Sequence, residues 1–187
     1  MRLYSIQHID VYQKLLKYKS YKTDKRFICS KNFQPAYEWM SKMMSKYAEP
    51  SLRPIFCYTQ RPDLRSYRHH FSDNRKPRHV QMVLLEIEVP AEKVLVSDFS
   101  LWHFVLNDYA IFFRGEEKSW KGKENSLEFK KFKEKTWERC LKIPTNYFKK
   151  YPKDLCGNGM EQACIPEIEL DYIKKATYFT MINKAKK

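Results

Sequence analysis

The sequence predicts a single α+β domain spanning 1–187, with small mixed or antiparallel sheets and flanking helices. Three observations point there. A chain of 187 residues suits one domain and is short for two. Hydrophobic residues make up 43% and aromatic residues 16%, which supplies a core and excludes general disorder. Strand-like alternation and helix-like periodicity then follow one another as β, α, α, β, loop, β, β, α, α, β, β, with no repeat or low-complexity tract.

Tyr4, Ile6 and His8 alternate with Leu3, Ser5 and Gln7, the pattern of a short strand. Asp10 is placed to cap a helix carrying Val11, Leu15 and Tyr18 on one face. Asn32 to Tyr47 reads as a second helix, because Phe33, Ala36, Tyr37, Met40, Met43, Met44 and Tyr47 form one stripe before Pro50 and Pro54. Ile55 to Tyr58 is a short strand. From Arg61 to His79 the apolar pattern disappears among turn formers, which predicts a loop over 61–79. Val80 to Val89 is a strand ended by Pro90, and Lys93 to Val96 another. Ser97-Asp98 offers a cap for an apolar helix from Phe99 to Asn107. A polar, glycine-containing loop over 114–125 separates it from a helix at Ser126 to Leu141, which Pro144 ends. Beyond the turn Cys156-Gly157-Asn158-Gly159, Glu161 to Glu169 is a strand interrupted at Pro166, and Lys174 to Ile182 the last strand.

Charge carries the functional expectation. Thirty-six Lys and Arg against 22 Asp and Glu leave a net charge of +14, whose self-repulsion an anionic partner would relieve. The excess is segmental. Lys14 to Lys31 holds seven basic residues against Asp24, Arg53 to His79 seven against Asp63 and Asp73, and Lys118 to Lys153 twelve against four glutamates, whereas Asp154 to Lys187 balances at five each. Aromatic residues run through the basic segments, including Tyr18, Tyr21, Phe27, Tyr147, Phe148 and Tyr151, and that mixture suits RNA or a ribonucleoprotein, since cations neutralise phosphate and rings stack on unpaired bases. Arginine, with its planar fork of donors, dominates one loop. Arg61, Arg65, Tyr67, Arg68, His69, His70, Phe71, Arg75, Lys76 and Arg78 are therefore the expected nucleic-acid contacts, with Tyr67 and Phe71 as stacking groups.

Other chemistries leave weaker traces. His69, His70 and His79 permit a metal-free ribonuclease, with one imidazole as base and another as acid. Glu86 and Glu88, two apart on a strand, share a face that could hold Mg2+, although a solvent-facing strand edge is the simpler reading. Cys29, Cys57, Cys140, Cys156 and Cys164 are odd in number and contain no CxxC pair, so reduced thiols rather than disulfides or structural zinc are expected. Nucleotide-binding and hydrolase signatures are absent, and no cofactor or metal is expected. With no membrane-spanning run and no signal-like opening, the expected compartment is the cytoplasm.

The segment LLEIEVPAEKVLVSDFSLWHFVLN, Leu84 to Asn107, resembles an uncharacterised family of small bacterial and phage proteins, domain-of-unknown-function family 3841. LYSIQ near the start, AYEWM at Ala36 to Met40, RPDLR at Arg61 to Arg65, TWERC around Trp137 and EQACIPEIELDYIKK near the C-terminus extend the likeness along the chain. The resemblance implies a fold more than an activity. By analogy, small basic phage proteins bind host nucleic-acid machinery, including RNA-guided defence complexes, which makes an inhibitor of such a complex one expectation. The element order is also similar to ADP-ribosyltransferase-like folds, which bind NAD. On that alternative Tyr4 or Gln7, Tyr58, and Glu161 or Gln162 would line the cleft. Within the matching block, Asp98 and His103 lie five apart, off a shared helix face. They read better as a cap and a carbonyl-bonded side chain than as a catalytic pair, with Trp102 in the core.

Overall fold

A computed structural model describes residues 1–23, 31–45, 52–67, 79–113, 115–142 and 160–182. The alternating opening forms β1 (Arg2–His8), followed by α1 (Ile9–Tyr18). The cap of α1 is His8 rather than Asp10: its ring nitrogen Nδ1 accepts the Asp10 N–H at 3.2 Å, while Asp10 sits in the first turn. Lys19, left-handed at φ 66°, ends α1 and donates its N–H to Leu15 O. The chain thereby turns straight into β2 (Ser20–Lys22), a strand the sequence pattern does not announce because only Tyr21 of its three residues is apolar.

After a 3₁₀ turn at Lys31–Phe33, α2 (Gln34–Met43) starts with Pro35 in its first turn. It stops well before the expected Tyr47, where Met44 and Ser45 close back on the Met40 and Lys42 carbonyls. β3 (Ile55–Tyr58) has the expected bounds. Within the anticipated 61–79 loop lies a single turn, α3 (Leu64–Tyr67), and β4 (His79–Glu88) follows. A 3₁₀ turn at Ala91–Lys93 displaces the next strand from 93–96 to β5 (Leu95–Asp98). Its last residue also caps α4 (Phe99–Leu106), Asp98 Oδ1 accepting the Leu101 N–H at 2.8 Å.

The anticipated 114–125 loop contains a 3₁₀ turn at Glu116–Trp120. Ser126 then caps α5 (Leu127–Trp137), and the expected single helix breaks at Glu138 into α5 and α6 (Arg139–Lys142). Pro166 does more than interrupt a strand. β6 (Glu161–Ile165) and β7 (Glu167–Glu169) on either side of it belong to different sheets. β8 (Ile173–Ile182) closes the order.

All six strands of the main sheet are antiparallel, ordered β5-β6-β3-β1-β4-β8, and β2 pairs with β7 in a separate two-stranded sheet. Cross-strand partners share a face, so the register Leu3↔Ile87 and Ser5↔Leu85 defines one side and Tyr4↔Glu86 and Ile6↔Leu84 the other. The first side packs Leu3, Cys57, Val83, Leu85, Ile87, Ala163 and Ile165 under Leu15 of α1 and Tyr21 and Ile168 of the small sheet. Each fully buried Leu or Ile there contributes roughly 1.5–3 kcal/mol relative to exposure. On the second side, Phe56, Leu95 and Cys164 meet a helical layer built from Met40, Leu101, Trp102, Val105, Trp137 and Cys140. A further cluster, Leu84, Phe179 and Met181 with Tyr4, Ile6 and Leu64, covers the β1-β4-β8 half of that side. Among the described residues no helix is long and apolar enough to cross a membrane.

Candidate nucleic-acid interface

The Arg-rich segment is described only at its start. Arg61 and Arg65 are exposed and make no ion pair among the described residues, and the Arg65 N–H is held by Asp63 Oδ1 at 2.9 Å. Tyr67 ends α3, but its side chain, like Arg68, His69, His70, Phe71, Arg75, Lys76 and Arg78, lies outside the described residues. His79 opens β4 opposite Ile182 and is exposed.

A second basic surface is fully in view, built by 115–137. Its base is the extended run Tyr109–Phe113, stitched to the last turns of α5 and to α6. Trp137 Nε1 donates to Tyr109 O, Thr136 Oγ1 accepts the Ile111 N–H, and Arg139 reaches both Ile111 O and Glu116. Gly115 and Gly122, at φ 89° and 79°, make the left-handed bends that frame the 3₁₀ turn. Three of the five glutamates in this stretch bond the backbone or Arg139. Glu116 receives both Arg139 guanidinium nitrogens and the Phe113 N–H; Glu117 accepts Gly115 N–H and Glu124 accepts Gly122 N–H, each at 3.0 Å. Burial pushes the Glu116 carboxyl up, but the Arg139 fork and the Phe113 amide outweigh it and hold it below the usual range. Amides of Glu124 itself and of Gly122 likewise lower Glu124.

With those carboxylates occupied, Lys118, Lys121, Lys123, Lys130, Lys131 and Lys135 stand exposed with no ion pair among the described residues. Lys133 is the exception, bound to Asp108 at 2.6 Å and lying over the Trp137 ring. Between the 3₁₀ turn and α5 sits an aromatic group outside the three core clusters. Trp120 stacks on Phe132 with centroids 4.6 Å apart and planes at 28°, Phe112 stacks on Phe132 at 5.9 Å, and Phe129 meets Trp120 at 5.6 Å. All four rings are partly exposed. The sequence did carry a signal for this group, a Trp and two Phe each flanked by lysine. The predicted boundary between the 114–125 loop and the following helix separates Trp120 from Phe129 and Phe132, and only the fold brings them together.

The remaining constellations resolve into structure. Glu86 and Glu88 do share a face, but β4 is an inner strand, and they pair with Arg2 at 3.6 and 3.5 Å while Lys174 approaches Glu88 at 3.8 Å. Asp98 caps α4, its carboxyl raised by burial against the pull of the Leu101 and Ser100 amides; Trp102 is buried, and His103 Nδ1 lies 2.8 Å from Phe99 O. Cys57, Cys140 and Cys164 are buried free thiols, Cys57 pushed up to about 12 by burial; Cys29 and Cys156 lie outside the described residues. No group of three metal-ligating side chains occurs among the described residues. Of the residues expected to line an NAD cleft, Tyr4, Tyr58 and Gln162 fall in one cross-strand row, where Gln162 donates to Ser97 Oγ; Gln7 and Glu161 point to the opposite face.

The small sheet carries a second charged surface. Around β2–β7 an open depression of about 600 Å³ is lined by Tyr18, Lys19, Ser20, Glu167, Glu169, Leu170 and Asp171. Lys22 pairs with Glu167 at 3.4 Å, while Lys93 reaches both Glu169 Oε1 at 3.0 Å and Tyr172 Oη at 2.9 Å. The Tyr172 hydrogen bond and Lys93 lower Glu169, and the same bonds raise Lys93 above the usual lysine value.

Residues 2–141 match the model of a family described as Domain of unknown function (DUF3841). The chain belongs to that family. The DUF3841 match contains the lysine surface and the aromatic group but stops before β6, β7 and β8, although β6 and β8 complete the main sheet. The C-terminal run EQACIPEIELDYIKK thus lies beyond the matched span. No curated protein and no solved structure matches the chain.

Proposed function

We propose that this DUF3841 protein binds single-stranded RNA, free or within a ribonucleoprotein, and modulates that partner by occupancy. One observation carries the reading: six exposed lysines with no ion pair among the described residues lie on the same turn and helix as a partly exposed Trp–Phe stack. Lysines at Lys118, Lys121, Lys123, Lys130, Lys131 and Lys135 would neutralise phosphates, and Trp120 would accept a base. Arg61 and Arg65 extend the set toward the arginine-rich segment. The buried, unpaired thiols of Cys57, Cys140 and Cys164 are compatible with action in the reducing cytoplasm. Interference with an RNA-guided defence complex is the specific form that the analogy with small basic phage proteins implies.

Titration of a fluorescent oligo(U) against salt tests the proposal. For ~6 phosphate contacts on a single strand, log Kd plotted against log salt should have a slope magnitude of about 4. A salt-independent affinity would refute the proposal. A pull-down from host extract, repeated after RNase treatment, separates RNA capture from capture of the protein component of a ribonucleoprotein.

A further inference from the structure

Arg53 stands just ahead of β3 with its backbone pinned. Its N–H donates to Thr23 O at 3.2 Å, and its carbonyl accepts the Thr23 hydroxyl. The side chain is 3% exposed, yet Nε and Nη2 are buried with no hydrogen-bond partner. These two N–H groups lie on one edge of the guanidinium and point the same way, as the fork that receives two oxygens of an oxyanion. Burying that edge unpaired is costly, so a group that completes it binds with unusual gain.

Among the described residues, the carboxylate paired with Arg53 does not complete it. Glu38 Oε1 of α2 lies 3.5 Å from Nη2, within charge attraction, but it accepts a hydrogen bond from Gln34 Nε2 at 2.9 Å instead. Glu38 is half-exposed and attracts Nη2 without completing the fork. A ligand of higher charge, with two oxygens for the two N–H groups, would compete with that single carboxylate.

We propose that the Arg53 fork is a binding site for a phosphate-class oxyanion, which enters by displacing Glu38. The site is separate from the lysine surface and does not depend on RNA binding there. Free phosphate and the terminal phosphate of a nucleic acid share the required chemistry.

The test is thermal unfolding of the full chain with increasing inorganic phosphate, against sodium chloride of equal ionic strength. Phosphate should raise Tm saturably in the wild type and not in Arg53→Lys, which keeps the charge but lacks the fork. Glu38→Gln, which removes the competing charge, should tighten phosphate binding about tenfold. A 5′-phosphorylated oligonucleotide that outcompetes its unphosphorylated counterpart only when Arg53 is intact would assign the site to nucleic-acid ends; equal competition by the two would assign it to free phosphate. Equal shifts from phosphate and chloride would overturn the proposal, as would a phosphate shift undiminished in Arg53→Lys. Should Arg53→Lys fail to fold, Glu38→Gln decides alone: unchanged or weakened phosphate binding overturns it.

Discussion

The small sheet and the α5 surface both carry acids and use them in opposite ways. Around β2–β7, Glu167 and Glu169 turn toward cations, so that Lys22 and Lys93 are each matched by a carboxylate. Around 115–137, Glu117 and Glu124 turn toward backbone amides and Glu116 toward Arg139, and six lysines have no ion pair among the described residues. Both surfaces are charged, but the lysines without ion pairs are more numerous on the second. The difference shows that the pairing of cations, more than their density, defines an electrostatic interface.

Reversal of charge at Lys130 and Lys131 should break this contrast most severely. RNA affinity is expected to fall roughly 10–100-fold and the salt slope to shrink by about 1.4, with Tm nearly unchanged, because exposed charges contribute little to stability. The matched control, Lys22→Glu, should leave binding almost unaffected. Binding isotherms at three salt concentrations measure both. A smaller loss is expected for Trp120→Leu, about 1–3 kcal/mol of binding with the salt slope preserved, since stacking releases no counterions. Equal affinity of the variant and the parent would remove the aromatic group from the interface.

Stability measurements probe how the acids are held. Glu116→Gln should cost about 1–2 kcal/mol in urea unfolding at neutral pH, by weakening the Arg139 fork. The folded-state carboxyl of Glu116 is lowered, so its contribution is present above the ordinary Glu pKa of about 4.3 and is lost as pH falls through the lowered value. The variant should accordingly show a shallower acid limb. The smallest effect is expected from Lys93→Met, under about 1 kcal/mol because that cluster is partly exposed. Lys93 is raised, so its contribution is complete below the ordinary Lys pKa of about 10.4 and disappears as pH rises through the folded value. The stability difference between variant and parent should therefore vanish only in strong alkali.

Local signals made much of the fold legible. Alternation located β1, a short apolar run β3 and a strand pattern ended by proline β4, while Ser97-Asp98 announced a helix cap and Ser126 the start of α5, because each depends on neighbours within a few residues. β2 escaped notice because a three-residue strand with one apolar side chain exists only through its pairing with β7. Pro166 was legible as a break, but the assignment of β6 and β7 to separate sheets required partners far away in sequence. Lys118 to Lys135 is legible in sequence only as a charge excess, whereas the arginine run carries the sharper phosphate signature because of arginine's fork. Nothing local tells that Glu116 is occupied by Arg139, 23 positions on.

By itself, then, the amino-acid order determined the α+β class, the large positive excess, the free-thiol chemistry of its core and the places where helices begin. Tertiary structure alone decided which of the many cations are unopposed. Lys93 finds Glu169 across 76 residues, and the acids of 115–124 are drawn to amides exposed by two left-handed glycines. Coulomb attraction falls off with distance in space, so a chain that folds its carboxylates away from some lysines and against others sharpens a segmental charge excess into two different surfaces.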